Sequence, residues 1–83
     1  MPQKNVSIIL LNWNSYDLTK NCIRQLQSDQ SNKGFEVIVV DNGSAGNEAK
    51  KLKKDFPFIN LIENKENMGF SYALNQGYVK ASG

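Results

Sequence analysis

Apolar residues in this chain gather in short, nearly unbroken runs. Val6-Ser7-Ile8-Ile9-Leu10-Leu11 is one, and Phe35 to Val40, centred on Val37-Ile38-Val39-Val40, is another. Runs of this kind predict strands covered on both faces, as in a parallel sheet, because a half-exposed strand would alternate apolar with polar positions. Phe58-Ile59-Asn60-Leu61-Ile62 reads as a weaker third strand.

Helical spacing fills the intervals between these runs. Leu18, Cys22 and Leu26, with Ile23 beside them, follow the cap candidates Asn14-Ser15 and the first-turn acid Asp17, which predicts a helix from Tyr16 to Ser28. Ala49, Leu52 and Phe56 form one stripe of a second helix closed before Pro57, and Lys50, Lys51, Lys53 and Lys54 occupy its remaining positions as a solvated face. Phe70, Ala73, Leu74, Gly77, Tyr78 and Ala81 mark the apolar stripe of a third helix that stops near Gly83. The resulting β-α-β-α-β-α order implies right-handed crossovers and an α/β fold with parallel strands.

Composition narrows the chemistry. At 83 residues the chain makes one domain at most, and its net charge of +2 is too small to point to nucleic acid or a membrane surface. The single cysteine, Cys22, has no internal disulfide partner and sits on the predicted apolar stripe, where a small buried hydrophobe is expected. No apolar stretch reaches signal-peptide or membrane-span length, so a soluble, cytoplasmic chain is expected. Histidine is absent, which removes imidazole bases, histidine-bearing metal sites and Ser-His-Asp arrangements.

Candidate chemistry lies at the strand exits, where open α/β sheets bind ligands. Asp41 ends the second apolar run and opens the turn Asp41-Asn42-Gly43-Ser44. It is either a turn-capping aspartate or a carboxylate that accepts hydrogen bonds from a ligand. Asn42-Gly43 would also suit a hairpin, but Ala45 to Lys50 lacks strand alternation, so Gly43 serves a strand-to-helix turn. Trp13, between Asn12 and Asn14, is either a partly buried core aromatic or a ring that stacks on a nucleobase, and the two asparagines are cap candidates. Asn67-Met68-Gly69-Phe70 opens the third helix, where free backbone N–H groups suit a phosphate and equally suit an ordinary cap. Asn75 and Gly77 are unfavourable inside a helix, and Gly77 points to close packing or close approach of a ligand.

Taken together, Val6 to Asn14, Val39 to Ser44, and Glu66 to Phe70 with Asn75 and Gly77 resemble the family 2 glycosyltransferases, in the right order and over nearly the whole chain. The resemblance implies a three-layer α/β/α, Rossmann-like GT-A unit with strand order 3-2-1, of which residues 1–83 are the amino-terminal part. It matches Leu11 and Trp13 to positions lining the nucleobase, Asp41 to the carboxylate that hydrogen-bonds the base, typically uracil, Asn67 and Gly69 to the loop bordering the nucleotide, and Asn75 to a helix position of undefined contact. The partners implied are a nucleoside diphosphate sugar donor, a UDP- or dTDP-sugar, and a sugar or lipid-linked acceptor, with no nucleic acid. The localisation implied is the cytoplasm or the inner face of a membrane.

The family's Asp-x-Asp motif, which holds Mg²⁺ or Mn²⁺ against the diphosphate, has no counterpart among these residues, and neither does its catalytic base. Residues 1–83 alone are therefore expected to be inactive and to hold no metal. The rival expectations are a non-enzymatic nucleotide-binding or assembly module and a flavodoxin-like receiver, although a receiver needs carboxylates where this chain has Asn12 and Asn14. An uncovered Val6–Leu11 edge further predicts homo-oligomers formed through the first strand.

Overall fold

The computed structural model describes residues 6–28 and 35–81. In chain order it contains β1 (Val6–Asn12), α1 (Tyr16–Ser28), β2 (Phe35–Asn42), α2 (Glu48–Asp55), β3 (Asn60–Asn64) and α3 (Phe70–Lys80). All strand pairs are parallel, and β2 lies between β1 and β3. This is the expected strand order 3-2-1 seen from the opposite edge. The stop near Gly83 lies outside the described residues, but α3 gives way at Ala81, whose backbone is extended.

The two faces of β2 explain why its apolar run is continuous. Val37 and Val39 pack with Ile23 of α1, Leu52 of α2, Phe56 and Ile59 on one face. Ile38 and Val40 pack with Ala73 of α3 on the other, flanked by Ile9, Leu11 and Ile62. A central strand in a three-layer α/β/α stack has no solvent face, so alternation would bury polar groups.

Three sequence expectations shift in detail. The third strand starts two residues later than Phe58, because Ile59 donates its N–H to the Phe56 carbonyl and Lys53 Nζ donates to the carbonyls of Pro57 and Ile59. Those bonds turn the chain before it can join β2, and they give Lys53 a role that a merely solvated face would lack. Along α1 the buried positions are Thr19 and Ile23, while Leu18 and Cys22 are exposed. Cys22 is therefore not a core residue, since a polar contact made by Thr19 fixes the helix's rotation. On α3 only Ala73 and Gly77 are buried, whereas Phe70, Leu74 and Tyr78 face outward.

Gly77 is explained by packing. A Cβ there would lie 2.6 Å from Cγ2 of Ile9, so its absence lets α3 settle directly on β1. Asn75, two residues earlier and exposed, borders a groove shared with Ile9, Ser71, Leu74 and Tyr78.

Candidate functional site

The parallel register sets Asn12 beside Asp41, Asp41 beside Glu63 and Asn42 beside Asn64 at the carboxyl ends of the strands. Consecutive residues of a strand point to opposite faces. Asp41 therefore joins a polar cluster on the α1 and α2 side, and Asn42 joins another on the α3 side. The first cluster ties together the loops after β1 and β2, and the second holds the loop after β3.

Asn12 is the hub of the first cluster and is fully buried, at 0% exposure. Its Nδ2 lies 3.0 Å from Glu48 Oε1, 3.1 Å from Ser44 Oγ and 3.2 Å from Asp41 Oδ2. Its Oδ1 accepts from Thr19 Oγ1 at 2.6 Å and from Ser15 Oγ at 3.3 Å. Asn12 thus does more than cap α1, because it ties both helices to the end of β1. A buried amide is tolerated only when its donors and acceptor are satisfied.

Asp41 is 2% exposed, so the carboxylate is folded into the sheet's edge rather than projected from it. Its Oδ1 accepts the Ser44 N–H at 2.8 Å, the local turn bond expected of an aspartate that starts a tight turn, and Oδ2 faces Asn12. A carboxylate has about four lone-pair sites, so these bonds orient Asp41 without exhausting it. Asn14 completes the join between the loops after β1 and β2. Its backbone is left-handed at φ 52°, its N–H donates to Ser44 Oγ at 2.9 Å, and its Oδ1 accepts the Ala45 N–H at 2.9 Å.

The second cluster is built by Asn42. Its Nδ2 donates to Asn67 Oδ1 at 3.0 Å and to the Gly69 carbonyl at 3.3 Å, while its Oδ1 accepts from Met68 N at 2.9 Å and from Asn64 Nδ2 at 3.3 Å. Asn67 Oδ1 also accepts the Gly69 N–H at 2.8 Å, and Asn64 exchanges amide bonds with Gln76 at 2.8 and 2.9 Å. Gly69 has φ 88° and ψ 156°, a conformation essentially reserved for glycine. The Gly69 N-cap supplies no side-chain cap bond, so the first N–H groups of α3 receive no acceptor from it.

The candidate residues therefore divide. Trp13, half-exposed at 54%, stands after β1 at the same edge as Asp41, and Asn67 and Gly69 stand on the neighbouring loop. Leu11 packs into the Ile38–Val40–Ala73 cluster on the α3 face. Asn75 lies apart, on the groove beside Ile9. Sequence reading missed Asn12 as a hub, and with it Ser44, Glu48 and Thr19. The signal available was a polar residue ending an apolar strand, but its partners come from three other segments.

No group of three or more His, Cys, Asp or Glu side chains converges among the described residues. No helix of the described residues is long and apolar enough to cross a membrane.

Comparison with known proteins bears on this edge directly. An uncharacterized glycosyltransferase of Bacillus subtilis (strain 168), YfnE, is 36% identical across 93% of this chain, which spans 20% of that protein's length. The model of glycosyl transferase family 2 matches residues 7–83, taking in every strand and helix that builds the polar edge. With that match and the parallel α/β/α layering, the chain belongs to glycosyl transferase family 2 and has the Rossmann-like α/β architecture of a GT-A domain.

Proposed function

We infer that residues 1–83 are the amino-terminal, nucleotide-binding part of a single GT-A domain, in a protein that moves a sugar from a nucleoside diphosphate donor to an acceptor hydroxyl. The observation that carries this reading is the polar row Asn12–Asp41–Glu63 at the strand ends, within the family match. In this reading Trp13 stacks on the base, and Asp41 accepts the imide N–H shared by uracil and thymine, which selects UDP- or dTDP-sugars. Asn67 and Gly69 border the nucleotide, with the amino end of α3 turned to its phosphates. Leu11 backs the base pocket from the core, and Asn75 stands in the outer wall of the domain.

Transfer itself requires groups that this chain does not supply. The acceptor, a sugar or a lipid-linked sugar of polysaccharide biosynthesis, needs its hydroxyl activated by a base, and the donor diphosphate needs its charge balanced. We assign both tasks, including any Mg²⁺ or Mn²⁺, to parts of the complete protein beyond these residues, so the isolated chain binds donor without turning it over. The complete protein works in the cytoplasm or at the inner face of a membrane. In isolation the chain self-associates through β1, an outer strand of the described sheet, and a monodisperse monomer by light scattering at high concentration would overturn that.

Calorimetric titration of the complete protein with UDP- and dTDP-sugars, Mn²⁺ present, tests the donor assignment. Saturable binding of one of them is expected. No binding to any nucleoside diphosphate sugar would sink it.

A further inference from the structure

We propose that Asn12 is a positioning residue for base discrimination, holding the Asp41 carboxylate in the orientation that reads an imide N–H. This rests on the donor site described under Proposed function and adds to it a residue that touches no substrate. The amide faces two carboxylates and a hydroxyl with its NH₂ group, and two hydroxyl donors with its oxygen. Its orientation is therefore fixed from both ends. Thr19, itself buried, anchors the oxygen to α1, and Glu48 anchors the nitrogen to α2.

The consequence falls on Asp41. One carboxylate oxygen is set by the Ser44 N–H of its own turn, and the other by the Asn12 amide across the strand boundary. Two independent bonds fix the plane of the group, and with it the direction of the lone pairs left for a ligand. If only the Ser44 bond remained, the carboxylate could pivot about one oxygen. A shape-matched apolar side chain at position 12 would fill the space, yet it would leave Asp41 Oδ2 and the Thr19 hydroxyl without these partners. Packing alone therefore does not account for asparagine here.

An oriented acceptor distinguishes bases because uracil and thymine present N–H at ring position 3, whereas cytosine presents a lone pair there. A fixed carboxylate attracts the first pair and repels the second. A pivoting carboxylate loses that contrast before it loses affinity for the diphosphate, which other groups hold. The affected quantity is the ratio of affinities, and a merely structural role would lower all affinities together.

The test is calorimetric titration of the complete protein with UDP, dTDP and CDP, Mn²⁺ present, for the wild type, Asn12→Asp and Thr19→Val. The aspartate variant keeps the shape but turns a donor into an acceptor facing two carboxylates, while the valine variant releases the amide from α1 and leaves position 12 intact. Wild type is expected to prefer UDP or dTDP over CDP. Asn12→Asp should reduce that preference by about tenfold, the size of one hydrogen bond to a charged group, and Thr19→Val should reduce it by a smaller factor. Folded variants that lose affinity equally for all three nucleotides, or keep the wild-type ratio, overturn the proposal, and so does a wild type without base preference. Should Asn12→Asp not fold, the ratio for Thr19→Val decides. A wild type that binds no nucleoside diphosphate fails the donor assignment itself, which is a different result from intact binding with an unchanged ratio.

Discussion

Gly43 and Glu66 are in backbone contact across the gap between the loops after β2 and β3. A Cβ at Gly43 would lie 2.6 Å from Glu66 Cα and 2.7 Å from Asn67 N, and Gly43 also has φ +84°. Two separate demands thus fall on one glycine, a left-handed turn and a space without a side chain. Together they bring Asn67 and Gly69 alongside the end of β2.

Gly43→Ala is expected to be among the most destabilising single changes in the chain. The backbone conformation alone costs about 1–3 kcal/mol for a residue with a side chain, and Glu66 offers only backbone atoms, which cannot rotate away. Urea unfolding should show a lower midpoint. A midpoint equal to wild type would mean that the loops do not touch in solution.

Asn42→Ala should loosen the Asn67–Gly69 loop more than the core. It strips the Met68 N–H and the Gly69 carbonyl, both in exposed residues, of their side-chain partner, a loss of about 0.5–1.5 kcal/mol per hydrogen bond. Hydrogen exchange should accelerate at Met68 while the Val37 to Val40 amides of β2 stay protected. Equal acceleration at both would show that Asn42 supports the whole sheet instead of one loop.

Gly77→Ala sets helix propensity against packing. Alanine is favoured by about 1 kcal/mol inside a helix, but overpacking a core contact costs about 1–3 kcal/mol, and Ile9 Cγ2 would stand 2.6 Å away. Net destabilisation is expected. Ile9→Leu removes the offending branch, so the double variant should recover part of the loss, and purely additive effects would argue against the contact.

Trp13→Ala should leave stability nearly untouched and weaken nucleotide binding. The ring is half-exposed, so little core is lost, whereas base stacking on an aromatic is worth about 1–3 kcal/mol, or roughly 5- to 150-fold in affinity. Calorimetry on the complete protein and thermal melts of the same variant separate the two effects. Full-strength nucleotide binding would remove Trp13 from the site.

Tyr16 joins α1 to α2 by donating its hydroxyl to Asp55, and Lys20 and Lys51 stand over its ring at 5.4 and 5.8 Å. The hydrogen bond to Asp55 pushes the phenol pKa up, with desolvation and the Asp55 and Asp17 charges adding to it. A group whose pKa is raised on folding stabilises the fold below its unfolded value, near 10, and that contribution is lost as pH climbs through the folded value. Thermal melts of wild type and Tyr16→Phe should therefore differ modestly at neutral pH and converge above about pH 10. A gap that widens with alkalinity would reverse the sign and refute the bond.

Both apolar runs, the helices that alternate with the strands and the glycine at position 43 were readable because they depend on local chemistry. Continuous burial on both faces needs only the residue types of Val37 to Val40, and α1 and α3 begin where the spacing places them. The rotation of α1 was not readable from apolar spacing, since Thr19 wins the inward position over Leu18 and Cys22 through its bond to Asn12. The start of β3 was misplaced for the same kind of reason. Carbonyls of Pro57 and Ile59 that looked free for a sheet are taken by Lys53.

The sequence by itself determined the β-α-β-α-β-α order, the parallel sheet and the family, because periodicity and motif order are properties of neighbours along the chain. Only the tertiary structure decided what the polar strand ends do. Asp41 and Asn42 are adjacent in sequence, yet the pleat sends them to opposite faces, one to Asn12 and Ser44 and the other to Asn67 and Gly69. Apart from Ser44, which belongs to the same turn as Asp41, these partners lie tens of residues away, and no local rule specifies which distant groups a buried amide must satisfy.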